Sequence, residues 1–151
     1  YPYEYLDGKT KTLKDIFELR LSLEMGMADL LFARKTAEDL LELKNIVKKE
    51  ENELFDSTIF SLEYEISFHG KLYEMSGNST LQRFQNLLLP VFQYYHDQKS
   101  SIDEIFEYSQ KFVTHRDLLN HLINGNPESF RNSMRQHLEP HFDRVLKWVK
   151  P

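Results

Sequence analysis

The sequence predicts an all-α fold, an antiparallel bundle of helices around one core. Three observations predict it. Apolar residues recur at i, i+3 and i+4 along six stretches, the period of one helix face. Glycine and proline number five each and fall mostly where those stretches end. Period-two alternation of useful length, the mark of a half-buried strand, is missing from the sequence. A length of 151 residues suits one domain, and 40% hydrophobic with 13% aromatic content supplies a packed interior.

The first helix is expected over residues 13–34. Thr12 is its N-cap, Asp15 takes the capping-box position, and Leu13, Ile16, Phe17, Leu23, Met27 and Leu30 form the apolar face. Thr36 caps a second helix over 37–53, with Asp39 three residues on and a stripe of Leu40, Leu43 and Val47. The charged tail, 48–53, reads as a solvated end. The third helix spans 57–76, entered at Asp56 and stopped by Gly77. The fourth starts after Asn78 and reaches about His96, with a kink at Pro90. Residues 100–108 either continue it or form a short helix of their own. The fifth covers 110–124 and ends at Gly125. The sixth opens on Asn126-Pro127-Glu128: an N-cap, a proline at the first helical position and an acid in the first turn. It runs to about Trp148, with a bend at Pro140. Long amphipathic helices on short connections imply antiparallel neighbours.

A net charge of −5 argues against this segment gripping nucleic acid through phosphates, because such surfaces are usually basic. It leaves room for a separate DNA-binding domain. With no cysteine, disulfides and thiolate ligands are excluded, and a reducing cytoplasm is a compatible setting. The longest clean apolar stretch, residues 87–92, is far short of the roughly 20 residues that span a bilayer. No membrane partner is expected. The chain begins Tyr-Pro-Tyr-Glu-Tyr, which is not a signal peptide, and reads as part of a longer protein.

Three histidines fall on inward-facing stripes. His69 accompanies Leu62, Ile66, Leu72 and Tyr73; His115 accompanies Phe112, Leu119 and Leu122; His137 accompanies Phe130 and Met134. Any one of them alone reads as a core histidine bonded to a neighbour. Three on three helices point elsewhere, because buried imidazoles are costly unless each finds a partner. One metal ion can partner all three. Glu65 precedes His69 by four residues, shares its helix face, and offers a fourth ligand. Three imidazoles and a carboxylate suit a divalent transition metal: zinc first, with nickel, manganese and iron as alternatives. His96 and His121 read as surface residues. His141, one turn beyond His137, offers an alternative pair with it. The H-E-x-x-H of zincins, the E-x-x-H pairs of di-iron bundles, a Gly-rich phosphate loop and a nucleophile elbow are all missing.

Four stretches carry a family resemblance. They are F-E-L-R-L-S-L-E at 17–24, with Ala33, Arg34 and Thr36 following; E-I-S-F-H at 65–69, running into L-Y-E-M-S-G-N-S-T-L at 72–81; H-R-D-L-L at 115–119, with I-N-G-N at 123–126; and M-R-Q-H-L at 134–138. In order and spacing they resemble the C-terminal effector-binding (FCD) domain of FadR-type regulators in the GntR superfamily, over about residues 13–138. The resemblance implies a FadR C-terminal-domain-like bundle of six or seven helices. It places the metal at Glu65, His69, His115 and His137, the four residues that spacing had singled out; the family usually has aspartate where Glu65 stands. It further implies a regulator rather than an enzyme. A small organic acid (a sugar acid, or a hydroxy or dicarboxylic acid) would bind above the metal. The protein would be a cytoplasmic homodimer that reaches DNA through an N-terminal winged helix-turn-helix domain outside this chain, with residues 1–151 forming the effector-binding domain.

Arg20 matches the arginine of the family's L-R-x-x-L-E motif and is the candidate partner for the acid's carboxylate, since a guanidinium offers it a bidentate fork. The other reading is a structural ion pair with Glu24, four residues on. Asn78 is a second candidate effector contact, or simply a helix N-cap. Two rival functions remain. One is a metal-dependent hydrolase, which lacks an obvious extra general base. The other is an interaction domain whose histidines merely pack.

Overall fold

The structure is a computed structural model that describes residues 8–53, 62–86, 88 and 113–149. The described residues form seven helices and no strand. They are α1 (Gly8–Gly26), α2 (Ala28–Arg34), α3 (Ala37–Glu53), α4 (Leu62–Met75), α5 (Ser79–Arg83), α6 (His115–Asn124) and α7 (Pro127–Val149). The expected entry to the third helix at Asp56, the kink at Pro90, the reach to His96, residues 100–108 and the side chain of His141 lie outside the described residues.

The helix ends show where sequence signals suffice. α1 begins at Gly8, so Thr12 lies inside the helix instead of capping it. The apolar period starts only at Leu13, and a first turn without that period leaves no trace in the pattern. The single helix expected over 13–34 divides at Met27. The division is slight. Met27 N–H donates to Leu23 O at 2.9 Å and Leu31 N–H to Met27 O at 3.0 Å, so the ladder runs through it. Gly26, a weak helix former, sits at the junction. α3 has the expected bounds and the expected capping box. Asp39 N–H donates to Thr36 Oγ1 at 3.0 Å, and Thr36 N–H to Asp39 Oδ2 at 3.1 Å.

After α4 the chain turns at Gly77, whose φ of 68° is the left-handed conformation that glycine reaches without a Cβ clash. Asn78 then caps α5, its Oδ1 accepting from Leu81 N–H at 2.9 Å. α6 starts at His115, later than the 110 expected. Thr114 is an extended N-cap in a reciprocal box with Asp117. That signature is legible in Thr114-His115-Arg116-Asp117, but Phe112 and Val113 carry the apolar period past it. Gly125 ends α6 in an extended conformation, and only glycine fits there, since a Cβ would stand 2.3 Å from Ser129 Oγ and 2.7 Å from His121 O. Asn126 caps α7, its Oδ1 accepting from Ser129 N–H at 2.9 Å, and Pro140 lies within that helix.

α1 runs along α7, α3 packs on α4, α6 touches α3 and α7, and α2 packs on α7 and α4. Their apolar stripes meet in one core that includes Met27, Leu31, Leu43, Val47, Phe68, Leu72, Leu118, Leu122, Phe130 and Met134. Leu43 is wholly buried there, and truncating such a leucine to alanine costs about 2–5 kcal/mol. The inward stripe of α1 differs from the expected one. It runs Phe17, Arg20 and Glu24 and continues through Met27 into Leu31 of α2, while Ile16, Leu23 and Leu30 are half-buried. A guanidinium and a carboxylate thus point from α1 into the core.

Candidate metal centre

Glu65 and His69 rise from one face of α4, four residues apart. His115 is the first residue of α6, placed by the Thr114 cap. His137 stands on α7, one step beyond the buried Met134. All four side chains are buried, and one ligand atom from each lies within 4.8 Å of the other three. His69 Nε2 is 3.1 Å from His137 Nε2 and 3.3 Å from His115 Nε2. Glu65 Oε1 is 3.1 Å from His115 Nε2, 3.5 Å from His69 Nε2 and 4.0 Å from His137 Nε2. A tetrahedron built on Zn–N bonds of about 2.0–2.1 Å has edges of about 3.3 Å. The donor set therefore has the size and the chemistry to hold a first-row divalent ion. Phe68 stacks on the His115 ring, with centroids 4.5 Å apart, and walls that side.

The outer edge of each ring decides what its inner nitrogen is. His69 Nδ1 meets Glu24 Oε1 at 2.5 Å. His137 Nδ1 meets the Val113 carbonyl at 2.6 Å. His115 Nδ1 meets both oxygens of Glu50, at 2.9 and 3.1 Å. A carbonyl or carboxylate oxygen only accepts, so each Nδ1 carries the proton and donates it. A neutral ring protonated at Nδ1 presents a bare lone pair at Nε2. Three such lone pairs and a carboxylate oxygen repel one another unless positive charge lies among them. Fixing a histidine's tautomer from its outer nitrogen is also how proteins orient imidazole toward metals.

The charges around the cluster agree. Glu24, Glu50 and Glu65 bring three negative charges. Arg20, only 1% exposed, brings one positive. Its Nε donates to Glu24 Oε2 at 2.8 Å and its Nη2 to Glu65 Oε2 at 2.7 Å, while Tyr73 Oη donates to Glu24 Oε2 at 3.3 Å. Two negative charges remain, the complement of one divalent cation or of two extra protons. Burial pushes the Glu65 carboxyl up, but His69, Arg20 and the bond from His115 outweigh it and hold it well below the usual carboxylate range. Glu24 is treated likewise by Arg20 and His69. Burial pulls the His115 imidazole down, but its bonds to Glu50 and Glu65 raise it to about 9. The direction of that shift reflects the same excess of negative charge around the rings.

The four residues singled out in the sequence thus come together. Arg20 lies beside them and spends two of its donors on Glu24 and Glu65, so the ion pair weighed in the sequence is present and a second accompanies it. Asn78 is exposed and serves as the α5 cap. Three contributors escaped sequence reasoning: Glu24 as the acceptor for His69, the Val113 carbonyl and Glu50. The tail 48–53 is exposed as expected except at Glu50, whose side chain is 20% exposed and engaged with His115. A signal existed, for Glu50 continues the Leu43–Val47 stripe by one more step of three. The backbone carbonyl of Val113 leaves no side-chain signal at all.

Among known proteins, a family model described as the FCD domain matches residues 15–140. A solved structure of Streptococcus agalactiae GntR is similar, with a TM-score of 0.65 and 23% identity over 94% of this chain and 63% of that one. That likeness shows a shared fold, and this chain spans less than two thirds of that relative's length. No curated protein matches the sequence.

Proposed function

This chain belongs to the FCD domain family, and on that premise we propose that it senses a small organic acid through a divalent metal, on behalf of a GntR-type transcriptional regulator. The observation that carries the proposal is the convergence of three rings. Each is buried, has its Nδ1 committed to an acceptor, and turns its Nε2 to one point beside Glu65. In this reading Glu65, His69, His115 and His137 hold the metal. Zinc comes first, with nickel, manganese and iron as alternatives, because imidazole and carboxylate donors suit all of them. Once bound, the metal supplies a Lewis-acid attachment point for an oxygen of a sugar acid, a hydroxy acid or a dicarboxylic acid.

The chain's own residues do the rest. Glu24, Glu50 and Val113 hold the rings in register. Arg20, already bridging two carboxylates, pairs the acid's second oxygen by trading its bond to Glu65. That trade gives the acid a preference for one arrangement of α1 against α4. Such a preference is required, because a ligand with equal affinity for two states shifts neither. In the full regulator, taken to be a cytoplasmic homodimer, the shift reaches DNA through an N-terminal winged helix-turn-helix domain. No helix among the described residues is long and apolar enough to cross a membrane.

Calorimetric titration of chelator-treated protein tests the reading. Zinc, nickel and manganese are titrated first, then a panel of sugar, hydroxy and dicarboxylic acids with and without metal. The expected result is one metal per chain, acid binding that requires it, and loss of both in H137A. Acids that bind equally well without metal would overturn the reading.

A further inference from the structure

The end of α3 reaches the cluster through two neighbouring acids. Both Glu50 oxygens face His115 Nδ1, at 2.9 and 3.1 Å. Glu51 holds Arg116, the next residue of α6, by two parallel bonds of 2.7 and 2.9 Å. The outer carboxylates of the cluster are unequal. Glu24 is wholly buried and shared among His69, Arg20 and Tyr73. Glu50 is 20% exposed and, among the described residues, pairs with His115 alone. Its carboxylate is thus committed to the edge of one ring, and a face of that ring is stacked on Phe68.

We propose that Glu50 is a positioning residue of the metal centre, one that keeps the His115 proton on Nδ1 and so keeps the Nε2 lone pair turned inward. The proposal rests on the reading of the cluster as a metal site. It extends that site to α3, a helix that supplies none of the four candidate ligands. Without the Glu50 acceptor, the His115 proton is free to move to Nε2, where Glu65 Oε1 at 3.1 Å accepts it. A ring protonated there offers no lone pair to a cation. Outer carboxylates of this kind also raise the basicity of the ring they hold.

The test uses E50A, E50Q and E51A in the full chain, with cobalt(II) as the spectroscopic probe and zinc affinity measured by chelator competition. E50A is expected to weaken zinc binding about 10–100-fold, to alter the cobalt d–d bands, and to give a mixed His115 tautomer by nitrogen-15 NMR of the imidazole. E50Q keeps an amide oxygen that still accepts from Nδ1, so it restores the tautomer and most of the affinity. E51A, which loses only the Arg116 clamp, stays near wild type. E50A with wild-type affinity and an unchanged tautomer would overturn the proposal. So would an E51A loss equal to that of E50A, which would make helix packing the cause. Should the wild-type chain take up no cobalt, the metal reading itself fails and the role of Glu50 falls with it, an outcome distinct from a cobalt-loaded wild type that E50A matches.

Discussion

Replacing Arg20 with methionine should destabilise the domain severely, whatever ligand it binds. Arg20 is 1% exposed and bridges Glu24 and Glu65, whose side chains are 0% and 4% exposed, at 2.8 and 2.7 Å. Methionine fills much of the same volume, so the chief loss is charge. Two buried carboxylates lose their shared cation, and breaking a buried pair from one side costs about 3–5 kcal/mol. A domain of this size melts about 2–4 °C lower per kcal/mol, which puts the fall at about 6–20 °C. Scanning calorimetry at neutral pH, with chelator present, measures it. Bound zinc should reduce the fall, because Glu65 then keeps a second positive neighbour. R20K should land between, since one ammonium cannot bridge both carboxylates as a guanidinium fork does. If Arg20 served only an incoming acid, R20M would melt with the wild type and lose acid binding alone. That result would refute the reasoning.

Two further predictions concern pH and packing. In chelator-treated protein the raised His115 contributes stability that is complete below its ordinary value of 6.5 and is lost as pH climbs through about 9. The lowered Glu24 and Glu65 contribute stability that is complete above their ordinary 4.5 and is lost as pH falls through their lower folded values. Melting temperature against pH should therefore peak between 4.5 and 6.5 and decline toward 9, whereas zinc-loaded protein should hold its stability on the alkaline side. G125A should lower the urea midpoint by the equivalent of about 1–3 kcal/mol at unchanged slope, because the new methyl meets Ser129 Oγ and the His121 carbonyl at 2.3 and 2.7 Å. A variant with the wild-type midpoint would mean that the α6–α7 corner relaxes freely.

Much of this was legible because helix faces repeat. The stripes carrying His69, His115 and His137 gave their inward direction, and the step from Glu65 to His69 gave their common face. The Thr36–Asp39 box and the Asn126 cap gave helix starts to the residue. Elsewhere the apolar period misled. It ran past the Thr114 cap, and along α1 and α2 it favoured Ile16, Leu23 and Leu30 over the polar pair at Arg20 and Glu24 that lies on the true inward line. Periodicity counts apolar residues, so it cannot show that a buried face is polar. The charged tail of α3 hid Glu50 for the same reason. The pairing of Arg20 with Glu65 joins residues 45 apart in the chain, and no local spacing encodes it.

The central claim, three Nε2 lone pairs turned on one cation, is open to X-ray absorption at the zinc edge of zinc-loaded protein after dialysis against metal-free buffer. The prediction is one zinc per chain, with the multiple-scattering pattern of three imidazoles at about 2.0–2.1 Å and one oxygen donor. Protein that loses its zinc to metal-free buffer, or zinc ringed by water with a single imidazole, would contradict it.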